Sequence, residues 1–301
     1  MTPQSIAVVG PGAIGGTIAA WLSRSPLVGE LTLCARTPLD RLVVETPDGS
    51  VIEATPRVLT DPAQVSSPVD WVVVATKAYD VAAAAAWLKP LVGPQTRVAV
   101  LQNGVEHVER FAPYLDKDRI VPAVIDVPAE RSAPGRIAHR RDGTLVMPAG
   151  EAGEAFAALF AESVIAASTS DDFLTVAWTK LSLNCAGAAN ALTGQPGGVV
   201  RAEGVAELMR EMVRECVAVG RAVGAKLGDE IPDWVIERAM TSPADSVNSL
   251  LADRLAGRPM EWDARNGVIA RLGAVHGVPT PVNAMAATLL AATAWTEASG
   301  Q

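Results

Sequence analysis

A glycine-rich turn near the N-terminus is the feature that most constrains the fold of this 301-residue chain. A β-branched apolar run, SIAVVG, precedes the turn, and an alanine-rich segment of helical composition follows it. Gly10, Gly12 and Gly15, with Ala13 and Ile14 between the last two, fit the pattern GxGxxG. In a strand-turn-helix unit these glycines turn the chain tightly, let backbone approach a pyrophosphate and let the helix pack on the strand. The context predicts a dinucleotide-binding Rossmann domain, and a glycine turn without a ligand is the alternative.

The rest of the chain predicts a two-domain organisation. Further apolar runs typical of parallel strands buried on both faces occur in the first half. They are Glu30–Arg36, Asp70–Thr76, Arg97–Asn103, Arg119–Ile125 and Thr144–Gly150. From Asp171 onward the period is helical with almost no strand signal. We therefore expect an α/β chain, with a mostly parallel Rossmann-type domain over 1–168 and an all-α domain over 169–301.

Composition excludes several classes of partner. The formal net charge is −8, and no run of lysines or arginines offers a surface for nucleic acid. The uncharged stretch from Ile6 to Leu22 lacks a preceding basic region and is broken by glycines, so we interpret it as part of the nucleotide fold and expect no membrane interaction. Cys34, Cys185 and Cys216 show no metal or redox spacing and indicate buried thiols in a cytoplasmic protein. The oligomeric state is undecided, and a homodimer stays open.

Residues at the predicted strand ends suggest the type of cofactor. An NAD enzyme usually carries an acidic residue after the second strand, where this chain has Arg36. A guanidinium there is suited to a 2′-phosphate, which favours NADPH/NADP+ over NAD(H). Lys77 and Asn103 follow two later strands, at the sheet edge where ligands bind. Taken singly, each residue has an equally good alternative explanation. Lys77 is compatible with a solvated lysine, and Asn103 is compatible with a turn asparagine.

Lys180 is the feature of the second half that most suggests chemistry. It is the only charged residue between Asp172 and Arg201, in a helix whose neighbouring residues are apolar. A partly desolvated ammonium there is suited to give a proton to a ketone oxygen as hydride reaches the carbon, whereas the alternative is a lysine that extends to solvent. Asn184, four residues on, is expected on the same face and is suited to bind substrate.

Further along, Pro259 and Glu261 suggest a helix start. Proline is favoured at the first helical position, and Glu261 would then stand at the third, where its carboxylate favours the helix dipole. Spacing alone does not assign Glu261 a functional role.

Taken in order along nearly the whole chain, these segments resemble the ketopantoate reductases, also called 2-dehydropantoate 2-reductases. The matching segments are GPGAIGG, Arg36, ATKAYD, LQNGVE, WTKLSLN and SLLADRLAGRPMEWDARNG. The resemblance implies an NADPH-dependent reduction of 2-dehydropantoate to (R)-pantoate, and a helical domain similar to the C-terminal fold of 6-phosphogluconate dehydrogenase.

The resemblance also implies roles for single residues. Lys180 would protonate the ketone and Glu261 would orient substrate and lysine. Asn103 and Lys77 would line the nicotinamide and substrate site, and Ser249 would bind the substrate carboxylate.

Two departures from the family pattern bear on the substrate. The second asparagine of the helix motif is replaced by Ala188, with Asn190 next along the chain. The asparagine before the substrate serine corresponds to Ser246, with Asn248 nearby. The same chemistry on another 2-oxo acid or ketone is therefore an alternative, and an NADP(H)-binding sensor without turnover is a second.

Other dehydrogenase designs fit this sequence less well. Neither Tyr79 nor Tyr114 is followed four residues later by the lysine that a tyrosine-lysine pair requires. The three histidines are scattered, and no cysteine-histidine spacing suggests zinc. We therefore expect a mechanism without a metal.

Overall fold

The computed structural model describes residues 3–293, and the chain divides into two compact units. The N-terminal unit comprises the residues up to Gln102 together with 106–173. The helical unit comprises Asn103–Val105 and the described residues from Leu174 onward. The division therefore follows Phe173, and a three-residue segment that carries Asn103 belongs with the helices.

The N-terminal unit alternates strands and helices. Its strands are β1 (Gln4–Val9), β2 (Val28–Cys34), β3 (Leu42–Glu45), β4 (Val51–Ala54), β5 (Arg57–Leu59), β6 (Trp71–Val74), β7 (Arg97–Val100), β8 (Ile120–Pro122), β9 (Val124–Asp126), β10 (Ala129–Ala133), β11 (Arg136–His139), β12 (Gly143–Pro148) and β13 (Ile165–Ser170). Its helices are α1 (Ala13–Leu22), α2 (Val81–Leu91), α3 (His107–Phe111) and α4 (Glu151–Ala158).

Six of these strands form a sheet whose pairs are all parallel, in the order β5-β2-β1-β6-β7-β8. The strand order reverses at β1, which makes the edge beyond β1 and β6 the switch point where open α/β sheets bind ligands. The central strands are buried throughout Ile6–Val9 and Trp71–Val74, as their unbroken apolar runs predict. The predicted Rossmann-type sheet is confirmed.

The predicted single strand over Arg119–Ile125 is wrong. It is divided into β8, at the end of the parallel sheet, and β9, which pairs antiparallel with β12 in a second sheet completed by β13. Pro122 ends β8, and a proline has no N–H with which to continue a ladder. The apolar segment that is continuous in sequence therefore contributes one strand to each of two sheets.

A four-stranded sheet, β10-β11-β3-β4, packs against α1 and was not predicted. The approach is close at Gly16, where an added Cβ would overlap the Ile137 side chain. The second half of the GPGAIGG segment thus also serves the packing of helix on sheet.

The helical unit contains α5, which begins at the boundary residue Phe173, and the helices after it. They are α5 (Phe173–Ala186), α6 (Ala188–Thr193), α7 (Val205–Ala222), α8 (Ile231–Thr241), α9 (Ser249–Leu255), α10 (Val268–His276) and α11 (Pro281–Ala292). Within residues 3–293, no strand follows Ser170, which agrees with the predicted all-α half. Among the same residues, no helix has both the length and the apolar character needed to cross a bilayer.

A buried polar network holds the start of α11 to α7. The Glu215 carboxylate accepts the backbone N–H groups of Val282 and Asn283, both at 2.8 Å, and the Asn283 amide at 2.7 Å. The same amide group donates to the Met212 carbonyl at 2.9 Å, and Asn266 donates to Asn283 Oδ1 at 2.9 Å. Asn266 and Asn283 are fully buried, so these hydrogen bonds satisfy both amide nitrogens and Asn283 Oδ1, while Asn266 Oδ1 has no partner among the described residues.

Candidate active site

The glycine turn of the N-terminal unit has the shape that a dinucleotide phosphate requires. Gly10 has φ +85°, and a Cβ there would lie 2.7 Å from Thr76 Cγ2. A Cβ on Gly15 would overlap the Gly10 carbonyl oxygen, so both positions need glycine. At Gly12, in contrast, an added Cβ would meet no atom within 4 Å among residues 3–293, apart from its own chain neighbours and the adjoining helix backbone. The turn is therefore closed towards the sheet and open at the second glycine, which fits the approach of a pyrophosphate.

Helix α1 begins directly at this turn. Gly12 is its N-cap and makes no side-chain cap hydrogen bond, and Ala13 and Ile14 are its first two helical residues. The first-turn N–H groups and the dipole of a helix favour an anion at such an end. The backbone at Ala13, Ile14 and Gly15 is therefore suited to a phosphate.

Arg36 lies beyond the end of β2, with its side chain 88% exposed. Its Nη2 is 3.5 Å from Asp80 Oδ2, a carboxylate in the turn after β6. An exposed ion pair of this kind contributes about 1 kcal/mol or less. A 2′-phosphate with bidentate geometry would therefore compete well for the guanidinium.

The loop that carries Lys77 is joined to the end of β7 by Gln102. The Gln102 amide donates to Thr76 Oγ1 at 3.0 Å and to the Lys77 carbonyl at 3.1 Å, and Gln102 is only 3% exposed. Lys77 itself is half-buried and stands at the start of a 3₁₀ turn, Ala78–Asp80. The sequence prediction missed Gln102, because a polar residue at the end of an apolar strand gives no indication of where its amide points.

His107 reinforces the same strand end from inside the core. Its Nε2 lies 2.8 Å from the Gln102 carbonyl oxygen, where the neutral ring with a proton on Nε2 donates. Burial, with a smaller contribution from the charge of Arg110, lowers the pKa of His107 to about 4. The ring is therefore neutral in the folded protein at physiological pH.

A pH dependence of stability follows from His107. Its pKa is lowered in the folded state, so the unfolded chain takes up a proton first, and stability is full above about pH 6.5 and lost as pH falls towards 4. We expect the free energy of unfolding to drop by about 2 kcal/mol between pH 7 and 4.5 from this group. Chemical denaturation of the wild type and of His107→Gln at both pH values measures the difference.

The exposed His276 gives the matched control for that experiment. His276→Gln should keep the pH dependence of the wild type, whereas His107→Gln should flatten it. Parallel pH curves for the wild type and His107→Gln would show that His107 does not carry the effect.

In the helical unit, α5 buries one face and leaves Lys180 on another. Trp178, Leu181 and Cys185 are buried in the core of the unit, while Lys180 and Asn184 are half-buried. One helical turn separates the lysine from the asparagine, so both side chains leave the helix on the same face. Lys180 is thus less deeply buried than its apolar sequence context indicates.

Asn103, Asn184 and Glu261 form one hydrogen-bonded group within the helical unit. The Asn103 amide donates to Glu261 Oε2 at 3.1 Å, and the Asn184 amide lies 3.5 Å from Asn103 Oδ1. Glu261 is only 3% exposed. Three residues that are far apart in the chain and predicted to bind substrate therefore meet.

The predicted position of Glu261 in a helix is wrong. Residues 256–262 are not helical, and the next helical segment is a π-turn, Asp263–Gly267, whose N-cap is Trp262. Asp263, and not Glu261, supplies the acidic residue of the first turn. Glu261 therefore stands just before the helix and reaches Asn103 from an irregular segment.

Ser249 is the first residue of α9 and is exposed. Its hydroxyl oxygen accepts a hydrogen bond from Arg265 Nη2 at 2.8 Å. The preceding Asn248 caps α9 by accepting from the Leu251 N–H at 2.9 Å. The start of this helix, and with it the predicted carboxylate-binding serine, is well fixed.

The two asparagines near the missing family positions bind each other. Asn248 Nδ2 donates to Asn190 Oδ1 at 3.1 Å and to the Gly187 carbonyl at 3.2 Å. Asn190 in turn donates to the Gln195 carbonyl at 3.1 Å. Both amides connect α6 with α9 and support the position of Ser249.

Comparison with known proteins agrees with this arrangement. Residues 6–152 match the family model described as Ketopantoate reductase PanE/ApbA, and residues 172–294 match the model of its C-terminal region. The 2-dehydropantoate 2-reductase of Caulobacter vibrioides is 59% identical over 96% of this chain and 99% of its own length. That of Mycobacterium tuberculosis is 41% identical over 95% of this chain and 97% of its own.

The same family is found among solved structures. The ketopantoate reductase of Ralstonia eutropha JMP134 superposes with a TM-score of 0.86 at 33% identity, over 95% of this chain and 97% of that one. Two family models that together cover most of the sequence, and relatives well above 30% identity along nearly its whole length, lead to one conclusion: the chain belongs to the ketopantoate reductase family.

Proposed function

We propose that this protein reduces 2-dehydropantoate to (R)-pantoate with NADPH. The observation that carries the proposal is the hydrogen-bonded group of Asn103, Asn184 and Glu261, which shares a unit with Lys180 in a chain of this family. These side chains supply an ammonium, a carboxylate and two amides, the groups needed to hold and protonate a 2-oxo acid.

Bound NADPH would supply the hydride for the ketone carbon in the proposed reaction. Lys180 gives its proton to the ketone oxygen, so that the developing alkoxide becomes a hydroxyl. Glu261 orients Asn103 by accepting its amide hydrogen bond, and it orients substrate and lysine as well. Asn103 and Asn184 bind substrate polar groups, and Ser249 donates its hydroxyl hydrogen to the substrate carboxylate.

The residues proposed for the cofactor are those of the N-terminal turn and strand ends, together with Asn103. The backbone of Gly10, Gly12, Ala13, Ile14 and Gly15 would hold the pyrophosphate, a role supported by the open space at Gly12. Arg36 would bind the 2′-phosphate, and Lys77 and Asn103 would line the nicotinamide. The buried free thiols Cys34, Cys185 and Cys216 fit the cytoplasm as the place of action.

The experiment that tests the function follows the nicotinamide absorbance of purified protein with 2-dehydropantoate, a panel of other 2-oxo acids and ketones, and NADH beside NADPH. We expect NADPH-selective turnover with 2-dehydropantoate as the preferred substrate. Preference for another 2-oxo acid would contradict the substrate assignment but would still support NADPH-dependent reduction of a ketone. Binding of NADPH without turnover of any compound would favour the alternative of a non-catalytic NADP(H)-binding sensor.

The role of Arg36 gives a prediction about cofactor selectivity. Arg36→Ala removes the proposed partner of the 2′-phosphate, so we expect KM for NADPH to rise by about 10- to 100-fold while KM for NADH changes little. Steady-state kinetics with both cofactors measure this.

Arg41 offers a matched control, since it forms a surface ion pair with Glu53 at the same distance of 3.5 Å. Arg41→Ala should leave both KM values unchanged. An equal rise for NADPH and NADH in Arg36→Ala would refute the 2′-phosphate role.

A further inference from the structure

A buried arginine lies directly behind the serine proposed to bind the substrate carboxylate. Arg265 is 2% exposed and belongs to the π-turn Asp263–Gly267. Its Nη2 donates to Ser249 Oγ at 2.8 Å, although the two residues are separated by 16 positions in the chain. Single turns of π-helix occur frequently at functional sites, because the extra residue redirects a side chain. Here that side chain is the guanidinium.

The guanidinium is kept charged by two carboxylates. Burial lowers the pKa of Arg265, and the negative charges of Glu261 and Asp253 oppose that effect. These two residues are 3% and 4% exposed, so the charges interact in a largely dry environment. Among the described residues, Arg265 Nε has no hydrogen-bond partner. A buried arginine with an unused donor is costly as a purely structural element, for which an apolar residue of similar volume would serve.

The hydrogen bond from Arg265 determines what the Ser249 hydroxyl can do. A serine hydroxyl has one hydrogen to donate, and here its oxygen already accepts from a cation. Accepting from a charged donor polarises the O–H bond and strengthens the hydrogen bond that the hydroxyl itself gives. Within the described part of the chain the hydroxyl has no other partner, and Ser249 is exposed. Its hydrogen is therefore available to an acceptor outside the helix.

We propose that Arg265 is a specificity-determining positioning residue, which aims the Ser249 hydroxyl at the substrate carboxylate and adds a positive charge behind it. This proposal rests on the proposed function, in that Ser249 binds the acid end of a 2-oxo acid. It extends that function by assigning the preference for an acid over a neutral ketone to the Arg265–Ser249 pair. Arg265 acts through the serine and does not itself touch the substrate.

The test compares two substrates with the same ketone. One is 2-dehydropantoate, and the other is its lactone, in which the molecule's own hydroxyl esterifies the carboxylate. For Arg265→Met we expect KM for the acid to rise by about 10- to 100-fold with kcat little changed, while KM for the lactone stays within about threefold. Ser249→Ala should show the same pattern, and the double variant should lose no more than either single variant.

Folding and control variants complete the experiment. Arg265→Met removes a buried positive charge beside Glu261 and Asp253, so Arg265→Lys, which keeps the charge, is measured beside it and should recover part of the acid preference. Arg201→Met removes a guanidinium that donates to the Met240 and Ser242 carbonyls in the same unit, and it should leave the ratio of acid to lactone unchanged. Calorimetric binding of pantoate to the NADP+-loaded variants gives a readout that does not depend on turnover.

The outcomes separate this inference from the proposed function. Absence of turnover of either compound by the wild type, with no binding of pantoate, would overturn the proposed function and this inference together. Turnover by the wild type, with acid and lactone affected equally by Arg265→Met or with additive losses in the double variant, would overturn the inference alone. A selective loss for the acid and for pantoate that is not additive with Ser249→Ala would support both.

Discussion

The variant Lys180→Ala should lose turnover by about a thousandfold and bind NADPH like the wild type. Positioned general acids contribute about 10²- to 10⁴-fold to rate, and Lys180 is the group proposed to protonate the ketone. Its helix, α5, is anchored by buried Trp178 and Leu181, so removal of a half-buried side chain on the other face should leave the fold intact. Single-turnover kinetics give the chemical step, and a fluorescence titration gives NADPH affinity.

A second lysine in the same unit provides the control for Lys180→Ala. Lys226 is exposed, and Lys226→Ala removes the same charge from the unit without touching the proposed site. It should keep wild-type kcat. Small primary amines added to Lys180→Ala should restore part of the turnover, because they replace the missing proton donor. Turnover close to wild type in Lys180→Ala, or a parallel loss of NADPH binding, would contradict the assignment as general acid.

The sequence pattern located Lys180 because charge is rare in its surroundings, but it gave little information about Glu261. The lysine stands out as the only charged residue of a long apolar stretch. Glu261 lies in a polar segment, and its interaction with Asn103 joins residues 158 positions apart. The π-helical turn that follows has no sequence signal comparable to a capping motif, and the helix start that Pro259 predicts does not exist.

Arg265 illustrates the same limit for a charged residue. The segment MEWDARNG has the composition of a solvated helix face, yet Arg265 is among the most buried charged residues of the described chain. Its burial results from the tertiary contact with Ser249 and the neighbouring carboxylates, and neither is visible in local spacing. Local patterns predict which faces are apolar, whereas a buried charge depends on which distant partners meet it.

For the fold, the predictable part is the parallel sheet and the less predictable part is what surrounds it. Strands β1, β6 and β7 are mostly buried and mostly aliphatic, and short apolar runs of this kind bounded by loops are typical of strands in a parallel sheet. The four-stranded sheet on α1 consists of strands of four or five residues with mixed burial, too short for a clear period. Its close approach to α1 uses the absence of a side chain at Gly16, and that contact is visible only in three dimensions.

The last prediction concerns the buried network at the start of α11. Asn283→Leu should lower the free energy of unfolding by about 3 to 4 kcal/mol. The change removes two donated hydrogen bonds, to Glu215 and to the Met212 carbonyl, and it removes the acceptor of the Asn266 amide. A hydrogen bond contributes about 0.5 to 1.5 kcal/mol, and about 1.5 to 3 kcal/mol when one partner is charged, as Glu215 is. Chemical denaturation followed by circular dichroism measures the loss.

A double variant distinguishes loss of the network from loss of packing. Asn266→Leu combined with Asn283→Leu removes both members of the central amide pair, and replacing both partners by apolar groups leaves fewer unsatisfied atoms than replacing one. The double variant should therefore be more stable than the sum of the single losses predicts. Thr288→Ala on the same helix removes a hydroxyl that donates only to the Ala284 carbonyl and should change stability by about 0.5 kcal/mol or less. Strictly additive losses in the double variant would mean that the hydrogen bond from Asn266 to Asn283 carries no share of the cost, because removing its donor and its acceptor together should cost less than the two single losses.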